Sequence, residues 1–243
     1  MTTTASRWHS PRLHRDISLA RWGHYGQPVL VFPTAGGDAE EIERMGLIAA
    51  LGTLLAAGRI KVYSCDSVAG KALAEKDGSV EHRCWLLNRF HDCIAHEIVP
   101  AIRTDCADET IEVVATGASI GAFNAVAVTC RYPGLFRTAI AMSGTYDLES
   151  LLGFQGNEDY YFSAPLAFLP GLEGPLLDAL RQRFIALPFG RGRWENPQET
   201  WNLAGMLGAK GVPNRVDAWG PEYDHDWPTW REMLPRYLDD LVP

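Results

Sequence analysis

The feature that most limits what this chain can become is an alternation that begins near Gln27 and runs to the C-terminus. Short apolar runs rich in β-branched residues take turns with longer helix-like stretches. The runs "QPVLVFPTAGG" (27–37), "IKVYSCDS" (60–67), "TIEVVATGAS" (110–119), "RTAIAMSGTY" (137–146), "RFIALPFGRG" (183–192) and "NRVDAWG" (214–220) read as strands with small or glycine-rich exits. The stretches at 38–58, 81–103, 121–134, 196–211 and 228–242 read as helices. Acidic residues open the first of these, where the helix dipole favours them. Proline starts the 196–211 stretch and glycine ends it. Strands alternating with helices imply an α/β architecture: a mostly parallel central sheet with helices on both faces, in three layers. The earlier run "RDISLARWG" (15–23) alternates polar and apolar residues, so it is expected as an antiparallel edge strand. A single domain is expected over 1–243, with an irregular, aromatic-rich, packed insertion around 148–178.

Composition narrows the functional classes. The formal net charge is -8 and the basic residues are scattered, which argues against a nucleic-acid partner. Five cysteines without a CxxC pair suit reduced thiols in a cytoplasmic setting. No apolar run approaches the roughly 18 residues of a membrane span. The N-terminal segment lacks the apolar core of a secretory signal. No cofactor and no metal site are expected. His96-Glu97 opens a zinc-helix pattern, but Pro100 stands where its second histidine belongs. His91 and His96 are five residues apart and read as helix-surface residues.

One strand-to-helix junction carries chemistry. In "TGASIGAFNA" (116–125), Ser119 sits between Gly117 and Gly121, after a strand and before a helix. A sharp turn there lifts a serine above the sheet edge, and the glycines let strand and helix approach. The helix N-terminus adds partial positive charge where an oxyanion would develop. Ser119 is therefore a candidate nucleophile.

A serine hydroxyl needs a base, and histidine is the usual one. Six of the seven histidines precede Ser119; only His225, in "GPEYDHDWPTW", follows it, between the last strand and the last helix. The chain order nucleophile, acid, histidine selects His225. The acid should then lie between them at a strand end. Glu195 in "GRGRWENP" fits best, and Asp147 in "SGTYDL" is the alternative. Asp217 falls inside a strand, and Asp224 and Asp226 are chain neighbours of the histidine. The oxyanion donors are expected to be the backbone N–H groups of Ile120, next to the nucleophile, and Gly36, in the loop "FPTAGGDAEE".

These stretches resemble the esterase branch of the α/β-hydrolases, which includes S-formylglutathione hydrolase (esterase D), feruloyl and acetylxylan esterases and the mycolyltransferase antigens. "VLVFPTAGG" is similar to that branch's oxyanion strand and loop. "TGASIGAFNAVAVTCRYPGLFRTAIAMSGTYDL" is similar to its elbow, helix and next strand, and "HDWPTWREMLPRYL" to its histidine loop and final helix. The resemblance implies the α/β-hydrolase fold. In the mycolyltransferase relatives the acid is a glutamate after the penultimate strand, which matches Glu195; esterase D relatives use an aspartate in that region. The secreted mycolyltransferases carry a signal peptide, and this chain shows none. The expected activity is a serine carboxyl-ester hydrolase acting through an acyl-enzyme on a small or medium acyl ester. The alternatives are an acyltransferase with the same triad and a non-catalytic, hydrolase-like binding protein. The expected partner is a small-molecule ester, with homo-oligomer formation left open.

Overall fold

A computed structural model describes residues 4–153 and 156–242. Met1 to Thr3, which begin the segment read for a signal, lie outside the described residues, as do Phe154 and Gln155 of the 148–178 insertion and Pro243. Eight strands form one sheet: β1 Thr4–Ser10, β2 Arg15–Trp22, β3 Gln27–Phe32, β4 Ile60–Cys65, β5 Val113–Ala118, β6 Phe136–Met142, β7 Phe184–Phe189 and β8 Asn214–Ala218. Their order is β1-β2-β4-β3-β5-β6-β7-β8. The pairs β1/β2 and β2/β4 are antiparallel, and every pair from β4 to β8 is parallel.

The alternating segment is antiparallel, as its pattern predicts, but it is not the edge. The edge is β1, a strand absent from the sequence reading. In β1 only Ser10 is buried, so no apolar period marks the strand. It is held instead by backbone pairing to β2 and by the Arg7–Asp16 ion pair at 3.2 Å.

The principal helices are α1 Val68–Glu75, α2 Val80–Cys93, α3 Val99–Cys106, α4 Ile120–Arg131, α5 Pro197–Ala209 and α6 Trp227–Leu241. The stretch 38–58 is not one helix but three short ones, Glu41–Arg44, Leu47–Ala50 and Gly52–Ala56; Gly46, at φ +77°, turns the chain between the first two. Helix α1 lies between β4 and α2, in a stretch the sequence reading assigned to neither a strand nor a helix. The helix at 81–103 runs through a π turn, Ile94–Ile98, into α3, whose second residue is Pro100. The insertion packs through Tyr160, Leu169 and Leu177, all buried.

Strand residues alternate between two cores, as a period of two requires. Leu30, Phe32 and Ala115 face α2, α4 and α5, through Phe90, Phe123 and Leu203. Val29, Val31 and Val114 face the three short helices and α6, through Ile42, Leu51 and Leu234. The sheet is thus covered on both sides. Strand β3 has β4 on one side and β5 on the other, so the connections leaving β3 and β5 diverge to opposite halves of the sheet. Open parallel sheets bind ligands outside the strand C-termini at such a switch point. Phe32 pairs with Gly117 in the register of these two strands, so their exit loops start side by side.

Candidate active site

Strand β5 ends one residue before Ser119, which adopts φ +58° and ψ -121°, and α4 begins at Ile120. A non-glycine residue rarely holds this backbone without support from its surroundings. The support is visible. The Ser119 N–H donates to the carbonyl of Met142 at 3.1 Å, and the Ser119 carbonyl accepts from Ala122 N–H at 3.1 Å. A Cβ at position 121 would lie 2.4 Å from the Phe32 carbonyl oxygen, and one at position 117 would lie 2.5 Å from the Gly121 carbonyl carbon. Both glycines are therefore dictated by close approach of β3, β5 and α4. Ile120 is the first residue of α4, where backbone N–H groups have no intrahelical partner and aim toward a ligand.

In the β3 exit loop, Gly37 N–H donates to the Thr34 carbonyl at 3.1 Å, closing a turn whose corners are Ala35 and Gly36. Glu41 fixes the base of that turn, accepting from Thr34 N–H at 2.8 Å and from Thr34 Oγ1 at 2.6 Å. The Thr34 N–H is thus already used, whereas the corner N–H groups take no part in the turn's own bond. Gly36 is exposed and lies with Asp66, Ser67 and Lys71 along a groove of about 460 Å³.

The remaining two candidates meet across the loops that leave β7 and β8. His225 Nδ1 faces Glu195 Oε2 at 3.6 Å, with the Glu195 side chain 2% exposed and that of His225 21% exposed. The separation is slightly longer than a hydrogen bond, as unliganded sites often show. The other carboxylate oxygen, Oε1, accepts from Ser143 Oγ at 2.5 Å and from Gly190 N–H at 3.2 Å. Ser143 Oγ in turn accepts from Trp230 Nε1 at 3.2 Å. The Trp230 ring stands edge-on to the His225 imidazole, centroids 5.2 Å apart.

Close approach is again dictated by glycine. A Cβ at position 190 would lie 2.0 Å from the Tyr223 carbonyl oxygen, and one at position 192 would lie 2.3 Å from Asp224 Oδ1. Arg193 clasps the two loops: its N–H and its Nε and Nη2 all donate to the Asp224 carboxylate, while its carbonyl accepts from His225 N–H at 3.0 Å. Hydrogen bonds from Arg193 hold the Asp224 carboxyl below the usual carboxylate range.

The other carboxylates lie elsewhere. Asp147 is exposed; its N–H donates to Glu199, and its charge is felt at Tyr160 in the insertion. Asp217 accepts from Tyr237 and Arg215, and Asp226 caps α6. The surface reading of His91 is overturned. His91 is fully buried, its Nε2 3.0 Å from Asn124 Oδ1, and burial pushes its pKa down to about 4. Cys84, Leu87, His91, Ile94 and Ile98 recur at steps of three and four, and that stripe was the available signal. His96 is exposed, edge-on to Tyr132.

Sequence reasoning missed Ser143, Trp230 and the Arg193–Asp224 clasp. The last pairs opposite charges on two loops 31 residues apart, which no local pattern reveals.

Comparison with known proteins places the chain in a family. A sequence family described as "Putative esterase" matches residues 63–241. The chain belongs to that esterase family, and its fold is that of α/β-hydrolase-type esterases. Among solved structures, a ferulic acid esterase superposes with a TM-score of 0.73 at 12% identity, covering 99% of this chain and 97% of that one. The S-formylglutathione hydrolase FrmB of Staphylococcus aureus gives 0.71 at 14%, covering 100% and 99%. MPT51 (FbpC1) of Mycobacterium tuberculosis gives 0.66 at 16%, covering 98% of each chain. No curated protein matches the chain by sequence. Among the described residues, no helix is long and apolar enough to cross a membrane.

Proposed function

We propose that Ser119, His225 and Glu195 form the catalytic triad of this serine carboxyl-ester hydrolase and that it acts on small or medium acyl esters. Ser119 Oγ attacks the acyl carbonyl while the imidazole of His225 takes its proton. Glu195 Oε2 faces Nδ1, so it fixes the ring and stabilises the imidazolium that forms. The N–H groups of Ile120 and Gly36 hold the tetrahedral oxyanion, with the α4 dipole behind the first of them. The imidazolium returns its proton to the leaving alcohol, and an acyl-enzyme remains on Ser119. Water, deprotonated by His225, then releases the acid and restores the serine.

The observation that carries this reading is the buried Glu195 carboxylate facing the only histidine that follows the elbow, at 3.6 Å. All five cysteines are free, which supports a reducing, cytoplasmic setting. The test is covalent. A fluorophosphonate probe should label Ser119, and Ser119→Ala should lose both labelling and turnover of p-nitrophenyl acetate. Undiminished turnover in Ser119→Ala would remove the serine mechanism. A screen across acyl length, sugar acetates and thioesters would define the substrate.

A further inference from the structure

We propose that Ser143 is a positioning residue for the catalytic acid, acting with Trp230 as a donor relay that turns Glu195 toward His225. The proposal rests on the reading of Glu195 as the acid. Three observations lead to it.

Ser143 is 3% exposed and holds φ +47°, a left-handed backbone that disfavours serine. The next residue is Gly144, so a residue suited to that conformation lies one step away. A strained non-glycine residue persists where its surroundings over-determine it. Here the backbone is pinned, with Ser143 N–H donating to the Pro188 carbonyl at 2.8 Å. What serine adds over glycine is a hydroxymethyl group, whose hydroxyl is the polar part.

The direction of the relay is fixed by chemistry. An indole N–H only donates, and an ionised carboxylate only accepts. Trp230 Nε1 donates to Ser143 Oγ at 3.2 Å, so the single hydroxyl proton is left to point at Glu195 Oε1, 2.5 Å away. Gly190 N–H donates to the same oxygen at 3.2 Å. With two donors on Oε1, the oxygen facing Nδ1 of His225 is Oε2. The carboxylate thus has its two oxygens assigned to different tasks.

The relay also touches the nucleophile's backbone. Met142, adjacent to Ser143, accepts the Ser119 N–H through its carbonyl, and Thr145 N–H donates to the Ser119 carbonyl at 3.4 Å. Trp230 is buried and its ring meets the His225 ring directly. One short segment, 142–145, therefore connects directly to Ser119 and Glu195 and, through Trp230, to His225.

The experiment compares Ser143→Gly, Glu195→Gln and the double variant. Ser143→Gly removes the hydroxyl and relieves the backbone, so thermal stability separates folding from positioning. We expect a melting temperature at or near that of the wild type, kcat on p-nitrophenyl acetate lower by about tenfold to a hundredfold, and KM unchanged. In the double variant the loss should equal that of Glu195→Gln alone, because Ser143 acts through Glu195. Ser143→Gly with wild-type kcat, while Glu195→Gln is crippled, would overturn the relay and leave the triad standing. Full losses that multiply in the double variant would likewise overturn it. Wild-type turnover in Glu195→Gln would remove the acid assignment itself, and the relay with it.

Discussion

Arg193 and Asp224 tie the loop that leaves β7 to the loop that leaves β8, with three nitrogens of one residue on the two oxygens of the other. The Arg193 side chain is 74% exposed and that of Asp224 25% exposed, so water screens the charge while the geometry remains specific. Cutting the clasp should loosen His225 without unfolding the sheet. Arg193→Ala is expected to lower kcat roughly threefold, in keeping with the modest worth of an exposed ion pair. Steady-state kinetics at low and high salt check this; the wild type should lose part of the same advantage at high salt.

The choice of acid is decided by a pair of isosteric substitutions. Glu195→Gln removes the charge facing His225 and should reduce kcat on the order of a thousandfold. Asp147→Asn, on an exposed carboxylate turned toward the insertion, should stay within about twofold. The reverse ranking would move the role to Asp147.

Two glycine-to-alanine changes should have opposite signs. At Gly190 a methyl would press 2.0 Å from the Tyr223 carbonyl, so Gly190→Ala should separate the loops and depress both stability and turnover. Gly205 lies in the exposed face of α5, where a methyl meets nothing within 4 Å. Gly205→Ala should stabilise by about 0.5–1 kcal/mol with activity unchanged. Calorimetric melting of the two variants beside the wild type is sufficient.

Buried His91 gives stability a pH dependence. Its folded pKa, about 4, lies below the value of 6.5 for a free imidazole. Between these values the unfolded chain binds a proton that the folded chain refuses, so stability falls as pH drops through that window and levels off beneath it. The full effect is roughly 3 kcal/mol. Urea midpoints at pH 7 and pH 4.5 should differ less in His91→Gln, which keeps a donor for Asn124, than in the wild type.

What the sequence made legible is what a strand end imposes. Ser119, Glu195 and His225 each follow the C-terminal end of a strand, in an order fixed by connectivity, so chain position was enough to propose them. Strand β1 was invisible because an exposed edge has no apolar period. The breaks at Gly46 and Leu51 were hidden because the 38–58 stretch has helical content throughout; only the turn geometry divides it. Ser143 could not be found from its neighbours. Its meaning comes from a positive φ and from partners 52 and 87 residues away, and neither leaves a local trace.

The two ends of the sheet carry a further consequence. An open sheet whose outer strands keep unsatisfied backbone groups invites another chain to add itself on. On β1, Arg7 and His9 both pair with Asp16. On β8, Arg215 reaches Asp217 and Asp240 and lies over the rings of Phe184 and Tyr237. Charged side chains on an outer strand disfavour the docking of another strand alongside it. Both margins thereby carry a feature that disfavours self-templated growth, and the proposed chemistry lies in the loops in between.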